Sequence, residues 1–161
     1  MDEVMEITTP EQFKALGHSF RQRLLFALGQ QPATISQLAK ILSARKGNVD
    51  HHLKVLRDAG LVRIAETRTV RGGTEHYYQR SSRRIRVLSP EATSTAAMLA
   101  AFAQELSIAP VEPLLNLRHL RLTAAQAERL RNALEGLVDT AEDAGDGEPR
   151  YGVLVSLYQQ P

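Results

Sequence analysis

The strongest constraint on the fold is a pair of helix signals, a start at residue 34 and a stop at residue 60. Thr34-Ile35-Ser36-Gln37 is a capping box, in which Thr and Gln side chains satisfy backbone N–H groups that a first helical turn leaves bare. Ile35, Leu38, Ile41 and Leu42 follow at helical spacing. After a brief break at Ser43-Ala44, a further helix runs to about Ala59, with Val49, Leu53 and Leu56 on one face and Val55 alongside. Gly60 is well placed to end it, because glycine takes the left-handed conformation without a Cβ clash. The helix over 34–42 is expected to pack across the helix that follows and brace it.

The flanks complete a pattern. Thr9-Pro10-Glu11-Gln12 opens a helix with a cap, a proline at the first helical position and a second capping box. Phe13, Leu16, Phe20, Leu24, Leu25 and Leu28 continue it until Pro32. Beyond Gly60, the extended runs Leu61–Thr69 and Glu75–Arg80 are joined by Val70-Arg71-Gly72-Gly73-Thr74 and read as a hairpin. Tyr77 and Tyr78 alternate across its second strand, so one packs and one faces out. The whole reads as a winged helix-turn-helix spanning 1–88.

Residues 89–161 read as a C-terminal region for dimerisation or effector binding. Ser81–Leu88 is a basic connector. Ser89-Pro90-Glu91 starts an Ala-rich helix with Met98, Leu99, Phe102 and Leu106 on its face. Leu114–Leu122 and the nearly continuous apolar run Tyr151–Tyr158 read as strands. Between them, Thr123-Ala124-Ala125-Gln126 caps a helix whose seam is Leu130, Leu134, Leu137 and Val138. The fold class is mainly α with small β, an α+β chain: a winged helix-turn-helix, a helix and a strand–helix–strand unit.

Charge separates the function classes. The net charge is only +2, yet residues 45–86 hold eleven basic and four acidic groups. Residues 87–161 hold five basic and ten acidic groups. A stretch of +7 is a polyanion-binding surface in outline. There is no cysteine, which excludes disulfides, thiolate metal sites and cysteine nucleophiles. Aromatics are 5% with no Trp, against an aromatic stacking platform for nucleic acid. No apolar run approaches the roughly 20 residues of a membrane span. The acidic start lacks a signal-peptide apolar region, and the expected location is cytoplasmic.

In such a motif the N-terminal part of the second helix enters the major groove. Burying Val49, Leu53 and Leu56 turns Lys46, Asn48, Asp50, His51 and Lys54 outward. Asn48 suits bidentate reading of an adenine edge, and Arg45 or Lys46 suits guanine or phosphate. Hairpin arginines, Arg68 and Arg71 among them, suit the backbone or a minor groove.

Ala15–Leu25 (ALGHSFRQRLL) and Val49–Val62 (VDHHLKVLRDAGLV) resemble the opening helix and the recognition helix of the ArsR family of bacterial winged-helix repressors. The resemblance covers about residues 10–80. It implies a homodimeric, cytoplasmic, double-stranded-DNA-binding regulator of transcription, a repressor. This chain departs from the family at several points. Thr34, Ile35, Ser36 and Gln37 stand where the best-known members carry metal-sensing cysteines. Ser43 replaces a frequent glycine, Arg45 a common capping serine, and Asp50 a small hydroxyl residue. A carboxylate there repels phosphate unless it accepts from cytosine N4 or pairs with Arg45 or Lys46.

Other constellations carry less. His51 and His52 are adjacent, so in a helix they point about 100° apart and cannot chelate one ion. His51 is a candidate DNA contact, His52 is expected to pack partly against the wing, and His18 is expected to be structural. Arg83, Arg84 and Arg86 suit either a solvated connector or phosphate contacts. Gly72-Gly73 lacks the flanks of a phosphate loop, and no nucleophile motif is present. The expectation is therefore no enzyme, no catalytic or metal residues and no cofactor. DNA contacts are expected from Arg45, Lys46, Asn48, His51 and Lys54 in the helix at about 45–59, and from Arg68 and Arg71 in a wing at about 62–80. Partners are double-stranded DNA, a second copy of the chain and a possible small-molecule effector held in the C-terminal region, with no membrane. The alternative is a winged-helix protein-interaction module without DNA binding.

Overall fold

The structure is a computed structural model and describes residues 2–29, 31–87, 91–142, 144–145 and 147–160. The chain divides into two compact units, Met1–Pro113 and Leu114–Pro161.

The first unit begins with strand β1 (Asp2–Ile7) and helices α1 (Pro10–Leu16) and α2 (Ser19–Leu28). The helical spacing from Phe13 to Leu28 predicts one continuous helix over this stretch, but the chain breaks at Gly17-His18. His18 is the N-cap of α2, its Nδ1 accepting from the Phe20 N–H at 3.1 Å. The bare carbonyls at the end of α1 are taken by α2 side chains: Gln22 Nε2 donates to Leu16 O at 2.8 Å, and Arg21 donates to Ala15 O and Lys14 O. Gly17 stands under a later helix, where an added Cβ would lie 3.2 Å from the Thr93 methyl.

The capping box at Thr34 and Gln37 is present and starts α3 (Ile35–Ile41). Helix α4 (Lys46–Asp58) follows, and Gly60 has φ +74 where the left-handed turn is needed. Ser43, in the turn between them, also has positive φ, at 50. Strands β2 (Val62–Val70) and β3 (Gly73–Arg80) form the antiparallel wing, with a bulge between Ile64 and Glu66. Ala33 and Tyr78 exchange both backbone hydrogen bonds at 2.9 Å, which ties the wing to the segment before α3. Tyr78 is the one that packs, while Tyr77 is half-buried rather than fully turned out.

One core serves these elements. Leu24, Leu28, Leu38, Val49, Leu53, Leu56, Leu61 and Val62 are essentially solvent-free. Burial of each such side chain is worth about 1.5–3 kcal/mol. Three of the eight come from α4 and two from its exit into the wing, so the core fixes that helix's rotation.

The connector reading of residues 81–88 is corrected. Ser82–Val87 form β4, paired parallel with β1, with Glu6 opposite Arg86. The acidic N-terminal strand lies along the arginine-rich one. The predicted cap at Ser89-Pro90 lies outside the described residues. Helix α5 (Ala92–Ser107) has Glu91 as N-cap and packs on α1 and α2 through Ser94, Ala97 and Ala101. Of its predicted face, Met98, Phe102 and Leu106 are half-buried and Leu99 is exposed.

The second unit contains helix α6 (Ala124–Asp139), capped by Thr123 and Gln126 as predicted. No residue of it is buried. Along its seam, Leu130 and Leu134 are half-buried while Leu137 and Val138 are exposed. The runs over 114–122 and 151–158 carry no ladder hydrogen bonds, so the two predicted strands are not formed in the single chain. A strand needs an edge to pair with, and neither run meets one here.

Candidate nucleic-acid interface

Helix α4 is amphipathic. Val49, His52, Leu53 and Leu56 point into the core, and Arg45, Lys46, Gly47, Asn48, Asp50, His51 and Lys54 are exposed. At 100° per residue, Gly47, His51 and Lys54 lie most nearly opposite the buried stripe, with Asp50 and Lys46 on one flank and Asn48 on the other. Nothing lies within 4 Å of where a Gly47 Cβ would stand. The glycine is therefore not required by packing within the chain, and it bares the helix backbone at the centre of the outward face. Sequence reasoning passed over Gly47. Its signal is a glycine at a helical position, which costs about 1 kcal/mol and calls for a reason.

The N-terminus of α4 is open as well. Arg45 is the N-cap, with φ −75 and ψ 141, and its side chain makes no capping bond. The Asn48 N–H turns back to the Arg45 carbonyl at 3.0 Å, so the amides of Lys46 and Gly47 are the ones left without a side-chain cap, beside the cations of Arg45 and Lys46, an arrangement that receives anions.

His52 is the second residue that sequence reasoning misplaced. It does not lean on the wing. Its ring packs against His18 and Phe20 of α2, with centroids at 4.5 and 5.1 Å, and His51 closes in edge-on at 5.1 Å. Its Nδ1 is buried without a hydrogen-bond partner. Burial, with the neighbouring His18, Arg21 and His51 adding repulsion, lowers its pKa to about 4. His18 is lowered too, by burial first, then by Arg21 and His51. Both imidazoles are neutral at physiological pH, and α4 rests on α2 through uncharged rings.

On the wing, Arg68 and Arg71 are exposed, but they are not equivalent. Arg68 grips Glu66 bidentately at 2.7 and 2.9 Å and lies over the Tyr77 ring at 4.5 Å. That grip holds the Glu66 carboxyl below its usual range. Arg71 sits in the tight turn at the wing tip. Thr67 and His76 meet across the hairpin at 3.1 Å, and Tyr77 donates to Glu75 at 3.3 Å. Among the described residues no group of three His, Asp or Glu side chains is placed to hold a metal ion. Among them, too, no helix is long and apolar enough to cross a membrane.

Residues 18–63 match the family model of the bacterial regulatory proteins of the arsR family. A solved structure to which the chain is similar is the cadmium metal-sensor CMTR from Mycobacterium tuberculosis. It is 22% identical, with 72% of this chain and 99% of that one covered, at a TM-score of 0.36. No curated protein matches the chain. The matched stretch runs from the N-cap of α2 to the first residues of the wing and so contains α3, the turn and α4. This chain carries an ArsR-type helix-turn-helix, and it is a DNA-binding regulator of transcription.

Proposed function

We propose that the chain represses transcription as a homodimer on a pseudo-palindromic operator, with two α4 helices in successive major grooves about 34 Å apart. The observation that carries this reading is the division of α4. One face is locked into the core by Val49, Leu53 and Leu56, while Arg45, Lys46, Asn48, His51 and Lys54 are all exposed. Asn48 reads an adenine edge, and Lys46, His51 and Lys54 hold nearby bases and phosphates. Arg71 meets the DNA backbone at the wing tip, and Arg68 joins it when it leaves Glu66. Helix α5, rich in small residues, supplies a subunit contact by close helix approach.

The test is fluorescence anisotropy on duplexes flanking the chain's own gene and on scrambled duplexes, across a salt series. Tight, strongly sequence-dependent binding is expected. Asn48→Ala should weaken the operator by about 1–3 kcal/mol and the scrambled duplex little. Arg71→Ala should weaken both and reduce the salt slope by about one. Equal, weak binding to both duplexes, abolished by moderate salt, would leave only non-specific electrostatics and refute the operator reading.

A further inference from the structure

We propose that the Leu114–Pro161 unit completes its fold on a second copy of this chain, with the runs over 114–122 and 151–158 pairing as strands between the two copies. This rests on the homodimer reading above and names the surface that joins the copies.

The first observation is the backbone. Both runs are free of helix and turn, and among the described residues neither makes a ladder hydrogen bond within one chain. Unpaired backbone lined with Leu, Val and Tyr is an adhesive edge that folded proteins pair or cover. A single copy leaves both edges open.

The second is area. In this unit Leu114, Leu115, Leu117, Leu137, Tyr151 and Val153 are each at least 70% exposed. Helix α6 buries no residue at all, although Leu130, Leu134 and Leu137 recur on it at helical spacing. Summed over the unit, the exposure of its large apolar residues equals about seven side chains laid fully open, or about 400–900 Å² of apolar surface. Two copies together bring about 800–1,800 Å² of apolar surface. A stable interface buries about 1,200–2,000 Å² in total, of which about 56–65% is apolar. The surface is thus of the size that one further copy covers.

The third is charge. The run over 114–122 holds Arg118 and Arg121 and no acid, while residues 135–149 hold Glu135, Asp139, Glu142 and Glu148 among their acids and no base. A two-fold interface sets the same patch on both copies, so each basic run can meet the other's acidic stretch. Over 114–161 there are five basic and seven acidic groups. The unit as a whole therefore does not attract a polyanion, and its occupant is a protein surface.

The experiment uses the full chain. Sedimentation equilibrium is run on the native protein and on the variant Leu117→Asp/Val153→Asp, with amide exchange by mass spectrometry at several protein concentrations. Both substituted side chains are open in one copy, so the core of the Met1–Pro113 unit and its thermal transition should survive. The native chain should sediment at twice 17.8 kDa. Its amides over 115–121 and 152–158 should be protected about a hundredfold, and dilution into the monomer range should abolish that protection. The variant should dissociate at least about a hundredfold more readily. Protection that does not depend on concentration would overturn the proposal, since the strands would then pair within one copy. So would a dimer in which these amides exchange freely, and that result would leave the DNA reading and the α5 contact standing. A native chain that is monomeric at every concentration would overturn this proposal and the homodimer reading together, while the anisotropy series would still report DNA binding by itself.

Discussion

Acid should loosen the seat of the recognition helix, and His52 sets the magnitude. In the unfolded chain this imidazole takes up a proton near pH 6.5, whereas in the folded chain it does so at about 4. Between those values the unfolded state binds more protons, so stability falls as pH falls. The contribution is fully present above pH 6.5, and its loss is complete below about 4. Each unit of separation is worth about 1.36 kcal/mol, so the whole shift amounts to about 3 kcal/mol and its share at pH 5 to about 2. Residual solvent contact at the ring edge trims the latter to about 1–2 kcal/mol. With a urea slope of about 1–3 kcal/mol per molar, the midpoint should drop by about 1 M between pH 7.5 and pH 5. His18, lowered by burial and by Arg21 and His51, acts in the same direction. Glu105, raised by burial, acts against it. The subtraction that isolates His52 is His52→Leu, which fills the same space and removes the unpartnered Nδ1. That variant should be at least as stable as the native chain at pH 7.5, and its midpoint should depend much less on pH. If native protein and variant lose stability in parallel on acidification, His52 is not the group responsible and the buried-imidazole account fails.

Other substitutions test the open end of α4 and the wing. Arg45→Ser should supply the missing cap and raise stability by about 1 kcal/mol, read as a higher melting temperature, while weakening duplex binding. Ser43→Gly should relieve the left-handed strain of about 1–2 kcal/mol at a backbone-entropy cost of about 0.5–1, for a net gain of about 0.5–1 kcal/mol in urea melts. Glu66→Gln should release Arg68 toward phosphate. Tighter binding to all duplexes with a steeper salt slope is expected, and an unchanged slope would remove Arg68 from the interface.

Much of this fold is local and could be read locally. The capping boxes at Thr9, Thr34 and Thr123 all form as the spacing requires, because each is settled within four residues. Gly60 ends α4 for the same reason, and the apolar stripe of α4 follows from its period. What could not be read is settled at a distance. The break at Gly17-His18 is held by Arg21 and Gln22 reaching back to α1, with the Thr93 methyl close above the glycine. The pairing of β1 with β4 joins segments eighty residues apart, and charge complementarity alone does not fix a register. At the interface, exposure of all seven predicted contacts follows from the helix period and the hairpin. The bond from Arg68 to Glu66 does not, since it depends on which rotamers the twisted hairpin brings together. The unformed strands over 114–122 and 151–158 show the converse. Their pattern is plain in the sequence, yet a strand exists only where an edge meets it.

The two ends of α4 differ in how well they obey the rules of local structure. The C-terminal end obeys them: Arg57 sits in the last turn, where the helix dipole favours a cation, and Gly60 takes the left-handed turn. The N-terminal end breaks them repeatedly. Ser43 holds a positive φ, Arg45 caps without a capping bond, Lys46 places a cation at the positive end of the dipole, and Gly47 weakens the first turn. Each departure costs about 0.5–2 kcal/mol, and the open space around Gly47 offers no packing within the chain in return. Uncompensated departures of this kind gather at functional sites. A phosphate backbone docked at this end would accept from the bare amides, neutralise the crowded cations and use the space that the missing Cβ leaves. On the proposed reading, the features that destabilise the start of α4 in the free chain are the ones that bound DNA would relieve.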